Sequence, residues 1–96
     1  MHARVSTLSV PPERMEEARR QIVEHAAPAA KALPGRMKTF WLSDDASGTV
    51  VTVSIYETEA DLAHNREAAS AIRRGSARSV GGSVGTVQEF EVFAEA

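Results

Sequence analysis

His64 is the side chain best suited to move a proton in this chain. Its unperturbed pKa of about 6.5 allows exchange near neutrality. Asn65 and Arg66 follow it, between Leu62 and the apolar Ala69 and Ile72, which are spaced to form one helical stripe. A polar side chain on a buried stripe needs a partner, because a lost hydrogen bond there costs about 1–3 kcal/mol. Asn65 and Arg66 therefore form the polar end of a ligand pocket, or they reach the rim with the arginine stem laid over apolar surface. His64 has a matching pair of readings, an acid–base group or an exposed helix histidine. Trp41 and Tyr56 complete the candidate set, as walls of an apolar site or as packing at a subunit seam.

Other chemistries are excluded by composition. The 96 residues contain no cysteine, which removes disulfides, thiolate catalysis and cysteine-based zinc sites together. His64 and Glu67 share a helix face, but two ligands do not make a metal site. Gly81-Gly82-Ser83-Val84-Gly85 has the look of a phosphate loop, yet it precedes a strand, whereas a phosphate cradle opens a helix. It reads as a lid or connector. There is no nucleophile elbow and no dinucleotide fingerprint. A formal net charge of −2 gives no overall attraction for nucleic acid or anionic lipid. The arginines at 66, 73, 74 and 78 read as a solvated helix end.

The elements that must position these residues follow from periodicity. Ala3 to Val10 alternates as a strand, with Arg4, Ser6, Leu8 and Val10 on one face. Pro11-Pro12 stops it, and an acidic helix start follows. The first helix spans 13–33, with a stripe at Met15, Ala18, Ile22, Ala26, Ala29 and Leu33. Pro28 predicts a kink or a broken last turn. Met37 to Ser43 and Thr49 to Tyr56 are strands around a turn at 44–48. Thr58, with Asp61 three residues on, caps a second helix that Gly75 ends. A loose segment at 75–85 leads to a last strand at 86–93. The order β-α-β-β-α-β is the ferredoxin-like arrangement, an α+β fold with four antiparallel strands and both helices on one face. All 96 residues fit one domain.

Helices cover one face of such a sheet, and neither central strand has a cleanly polar face. If Met37, Trp41, Val50 and Tyr56 share the uncovered face, their exposure forgoes about 6–12 kcal/mol. That rivals the whole stability of a domain, about 5–15 kcal/mol. A second copy packed sheet to sheet is the expected cover, making a homodimer. Residues 1–10 have no long apolar core or cleavage site, and no apolar run approaches the length of a membrane span. A soluble cytoplasmic protein is expected, without membrane or nucleic-acid partners.

The chain resembles the antibiotic biosynthesis monooxygenase-like family of the dimeric α+β barrel superfamily. The resemblance rests on the first helix, on Leu33-Pro34-Gly35 leading into Met37-Lys38-Thr39-Phe40-Trp41, on the hairpin at 44–48 with Val51 to Ile55, and on Tyr56-Glu57-Thr58-Glu59-Ala60-Asp61-Leu62. It covers nearly the whole chain. It implies a homodimer and a site between sheet and helices for a small hydrophobic, aromatic or quinone-like molecule. It also implies cofactor-free oxygenase chemistry, in which His64, or Asn65 holding a water, deprotonates a substrate beside Trp41, Tyr56 and Arg66. Haem degraders of the family resemble one another in a strand-one asparagine, a tryptophan and a helix-two histidine. Here strand one has no asparagine, Tyr56 stands where tryptophan is usual, and Asn65 falls on the histidine position. A non-catalytic ligand-binding dimer is the alternative.

Overall fold

The computed structural model describes residues 1–96. It is an α+β fold whose four strands are β1 (His2–Ser9), β2 (Arg36–Asp44), β3 (Thr49–Tyr56) and β4 (Ser83–Glu91). They form one antiparallel sheet in the order β2-β3-β1-β4. The helices are α1 (Met15–Gln21), α2 (Ala27–Lys31), α3 (Glu59–His64) and α4 (Arg66–Ser79). They pack on a single sheet face, as a ferredoxin-like chain requires. No helix is long and apolar enough to cross a membrane.

The first helical run is interrupted, but upstream of the place expected: Pro28 lies inside the first turn of α2, and the helix runs on past it to Lys31. A π turn, Ile22–Ala26, joins α1 to α2, and the Ala27 amide bonds back to the Ile22 carbonyl. The wider turn adds a residue, so the inward stripe continues from Ala26 to Ala30. Ala29, expected on that stripe, is exposed.

The second helical run differs from expectation at both its middle and its end. Thr58 does cap it, its hydroxyl accepting from the Asp61 amide at 3.1 Å. The run then breaks at Asn65, which separates α3 from α4. Gly75 does not end it. A side chain there would meet nothing within 4 Å, so the residue sits on a free helix surface where glycine costs only about 1 kcal/mol. Packing of Ser76, Ala77 and Val80 into the interior outweighs that cost. The true stop is Gly81 at φ +65, with the Gly82 amide on the Ala77 carbonyl at 2.8 Å and the Gly81 amide on that of Arg78 at 3.4 Å. This pair of bonds is a Schellman cap. The 75–85 segment is therefore helix, cap and strand start rather than a lid, and β4 begins at Ser83 rather than residue 86.

The helix-covered face has two unlike halves. At one end Leu8, Val10 and Val50 pack with Met15, Ala18 and Ile22 into an apolar core. At the other end the same strand faces present Arg4, Ser6, Ser54 and Tyr56, paired across the sheet as Arg4↔Ser54 and Ser6↔Thr52. Trp41 pairs with Thr52, and Thr39 with Ser54. Trp41, Val50 and Tyr56 thus lie under the helices, which corrects their expected place on the bare face. The bare face instead carries Phe40, Leu42, Val51, Val53, Ile55 and Phe90, because a register fixed by period two sends alternate residues to opposite sides. Phe40 is 45% exposed, Leu42 53% and Phe90 49%.

Candidate functional site

A cavity opens between the polar half of the sheet and the helices. Its floor is Arg4, Ser6, Thr39, Thr52, Ser54 and Tyr56, and Trp41 forms a flat wall. Ala30 and Leu33 close it from the first helical run; Ala69, Ile72, Arg73 and Ser76 close it from α4. Its volume is about 40 Å³. A single water needs about 10–15 Å³, whereas drug-sized pockets run to roughly 300–1,000 Å³. The cavity is partly open, and its interior alone suits a few waters or part of a small ring, the rest of which would lie in the mouth.

Arg4 is the centre of the polar network. β1 places it on the inner face, and its neighbours leave its side chain 2% exposed. Nη1 donates to the Tyr56 hydroxyl at 3.2 Å, and Nη2 donates to the Leu62 carbonyl at 2.7 Å. Nε and Nη2 both reach Glu89 Oε2 at 3.2 Å. The guanidinium also lies 5.4 Å from the centre of the Tyr56 ring, within cation–π range. Tyr56 itself is completely buried. Since Arg4 takes an acceptor position on the phenol oxygen, the Tyr56 O–H is free to donate.

Glu89 is shared. Arg66 grips it in a fork, Nε to Oε2 at 3.0 Å and Nη2 to Oε1 at 2.7 Å. These bonds from Arg66, and then those from Arg4, hold the Glu89 carboxyl below the usual carboxylate range against the opposing effect of burial. Arg73 has no such partner. Its Nε is buried without a hydrogen bond. Burial first, then the charges of Arg4 and Arg74, push its pKa down. Arginine keeps its charge in proteins regardless, so the lining of the cavity holds an unpaired cation.

The residues singled out in the sequence divide. Trp41 and Tyr56 meet in the cavity, under the helices. Arg66 is exposed and lies outside the lining, bound to Glu89. His64 is exposed at the end of α3 and does not line the cavity. Asn65 is 2% exposed but also outside the lining. Its amide donates to the Pro34 carbonyl at 2.6 Å and the Asp61 carbonyl at 2.9 Å, tying the helix break to the loop that enters β2. Sequence reasoning missed Arg4 and Arg73. Arg4 had a signal: it alternates with Ser6, Leu8 and Val10, so an inward Leu8 forces an inward arginine.

This is the fold of the antibiotic biosynthesis monooxygenase-like proteins, with a polar-floored, tryptophan-walled cavity between sheet and helices. No family model and no curated protein matches the chain. Solved structures do resemble it. A Deinococcus radiodurans protein assigned by name to the antibiotic biosynthesis monooxygenases aligns with TM-score 0.74 and 15% identity, over 100% of this chain and 96% of that one. SnoaB, a cofactor-independent oxygenase from Streptomyces nogalater, gives 0.70 and 12%, over 98% and 94%. A variant of MhuD with two manganese protoporphyrin IX molecules bound per active site gives 0.68 and 17%, over 100% and 98%. At these identities the likeness is one of fold.

Proposed function

We propose that the protein is a homodimeric, cofactor-independent monooxygenase-like protein that takes a small aromatic or quinone-like molecule between sheet and helices. One observation carries the reading, a reversal of polarity. Half of the face that the chain buries under its own helices bears Arg4, Ser6, Thr39, Thr52 and Ser54, while the face that it leaves bare carries Phe40, Leu42, Val51, Val53, Ile55 and Phe90 with the polar Thr7, Lys38 and Gln88 among them. Hydroxyls and guanidinium groups under helices make sense when they surround a polar guest, since an unpartnered polar group costs about 1–3 kcal/mol. Aliphatic side chains on a bare face make sense when a second copy covers them. The likeness to SnoaB supports the oxygenase class.

In that chemistry a hydroquinone-type substrate SH2 reacts with O2 to give S=O and H2O. The substrate loses a proton and reduces oxygen, a C–O bond forms, the O–O bond breaks, and the second oxygen leaves as water. Trp41 would stack on the ring, and Tyr56 would donate to its oxygen. His64 and Asn65 lie outside the lining, so the first proton would pass to ordered water on the cavity floor rather than to either of them. A porphyrin is a poor fit. No histidine, cysteine or methionine lines the cavity, and the phenol oxygen of Tyr56 is engaged by Arg4; haem iron is held by such groups.

A second reading, a ligand-binding dimer without turnover, is favoured by one specific fact: the cavity lining offers no histidine or carboxylate to act as base. Oxygen uptake with hydroquinone separates the two. The oxygenase reading predicts uptake that falls about 10-fold or more in Tyr56→Phe, at the scale of removing one positioned hydrogen-bond donor. It predicts little change in His64→Ala. No uptake above the background of the chain-free solution, with binding intact, would leave the non-catalytic reading in its place.

A further inference from the structure

The charge of the cavity defines its guest further. Three guanidinium groups, those of Arg4, Arg66 and Arg73, gather around one carboxylate, that of Glu89. Arg4 and Arg66 use it between them. None of the chain's four ion pairs includes Arg73. Its Nε is shut away from solvent without an acceptor, and the residue lines the cavity beside Tyr56, Ser54 and Ser76. Long cations on a helix normally extend to water. This one keeps its Nε out of solvent and lies near a second buried cation, Arg4, and the opposing influence of Tyr56 and Glu89 is the weaker one.

We infer that Arg73 is the anchor for an anionic substituent of the guest, and that the ligand is a small hydroxylated aromatic carboxylate rather than a neutral quinol. An Arg–carboxylate pair is planar and takes two parallel hydrogen bonds, and Arg73 has no carboxylate of the chain in that position. Tyr56, held by Arg4, donates from the other side of the floor. Ser6, Thr52 and Ser54 suit ring hydroxyls, and Trp41 suits the ring face. The small cavity favours one ring over several. This assignment rests on the cavity being the ligand site, and it adds the chemical class.

The test compares 2,5-dihydroxybenzoate with hydroquinone, which differ by the carboxylate, using isothermal titration of the full chain at pH 7. The acid is expected to bind at least about 10-fold more tightly, the scale of one charge-assisted hydrogen bond. In Arg73→Met that preference is expected to vanish, the acid binding no more tightly than hydroquinone does to the same variant. Arg73→Lys, which keeps the charge without the fork, should retain part of it. Arg74→Met, at an exposed neighbour, should retain all of it. Equal affinity for the two compounds, preference for the neutral one, or a preference that survives Arg73→Met would overturn the assignment while leaving the cavity as a site. If neither compound binds, the cavity reading itself fails, and this inference with it.

Discussion

Glu89→Ala is expected to lower the unfolding free energy by about 1–3 kcal/mol, the scale of leaving a buried donor, here on Arg4, without its acceptor. For a chain of this size that is a drop in melting temperature of at least about 4 °C. The cost arises at Arg4 rather than at Glu89. Glu89 is partly exposed, but Arg4 is almost wholly buried, and without the carboxylate it stands beside Arg73 as a second unbalanced cation. The double variant Arg4→Met with Glu89→Ala should therefore be more stable than Glu89→Ala alone, despite lacking more native bonds. Thermal melts of the two single variants and the double variant complete that cycle. Acid does the same thing reversibly. The Glu89 carboxyl titrates below its unfolded value, so its stabilisation is fully present above the ordinary glutamate pKa of about 4.3. It is lost as pH falls further, through the depressed folded value. Stability that is flat to pH 3 in the parent chain, or a Glu89→Ala variant as stable as the parent, would contradict this account of the network.

The second large effect is on assembly. Val53 sits in the middle of the bare face, paired with Val5 on one side and Phe40 on the other. A stable interface buries roughly 1,200–2,000 Å² in total, and at about 25 cal/mol per Å² of apolar area the aliphatic and aromatic side chains around Val53 are its natural centre. The parent chain is expected to sediment at twice the chain mass at micromolar concentration. Val53→Glu should sediment at the chain mass, because covering it would put a carboxylate without a partner into an apolar interface. It should also bind 8-anilinonaphthalene-1-sulfonate on the newly uncovered face. A parent chain that sediments as a monomer would remove the dimer from the proposal.

The topology was legible in the sequence because its signals are local. Alternation marked the strands, Thr58 and Asp61 marked a cap, and the 44–48 cluster marked a hairpin turn. The end of α4 was misread because Gly75 and Gly81 are the same residue to a propensity argument. Only Gly81 has a positive φ and the two bonds that close the helix. The stripe of the first helical run was misread by one residue after Ala26, since a π turn is a hydrogen-bond rearrangement that no residue type announces. The site was legible by halves. Trp41 and Tyr56 are large, and their types pointed to a pocket wall. Arg4 and Arg73 were overlooked because a charged side chain is ordinarily assigned to solvent. The bare face of β3 was misplaced for another reason. Neither of its sides, Val50, Thr52, Ser54 and Tyr56 or Val51, Val53 and Ile55, is cleanly polar, so alternation alone does not say which one meets the helices. In the structure the side with Val50 and Tyr56 faces the helices, and Val51, Val53 and Ile55 face outward.

Trp41 is the only tryptophan in the chain, and it lines the cavity, so its emission reports directly on whether a guest enters between sheet and helices. Titration with hydroquinone should quench that emission along a saturable curve. Ser54→Phe, which fills the floor, should abolish the saturable part without loss of secondary structure. A linear, collisional quench in the parent chain, or a saturable one that persists in Ser54→Phe, would place binding elsewhere and remove the ligand site from the space under the helices.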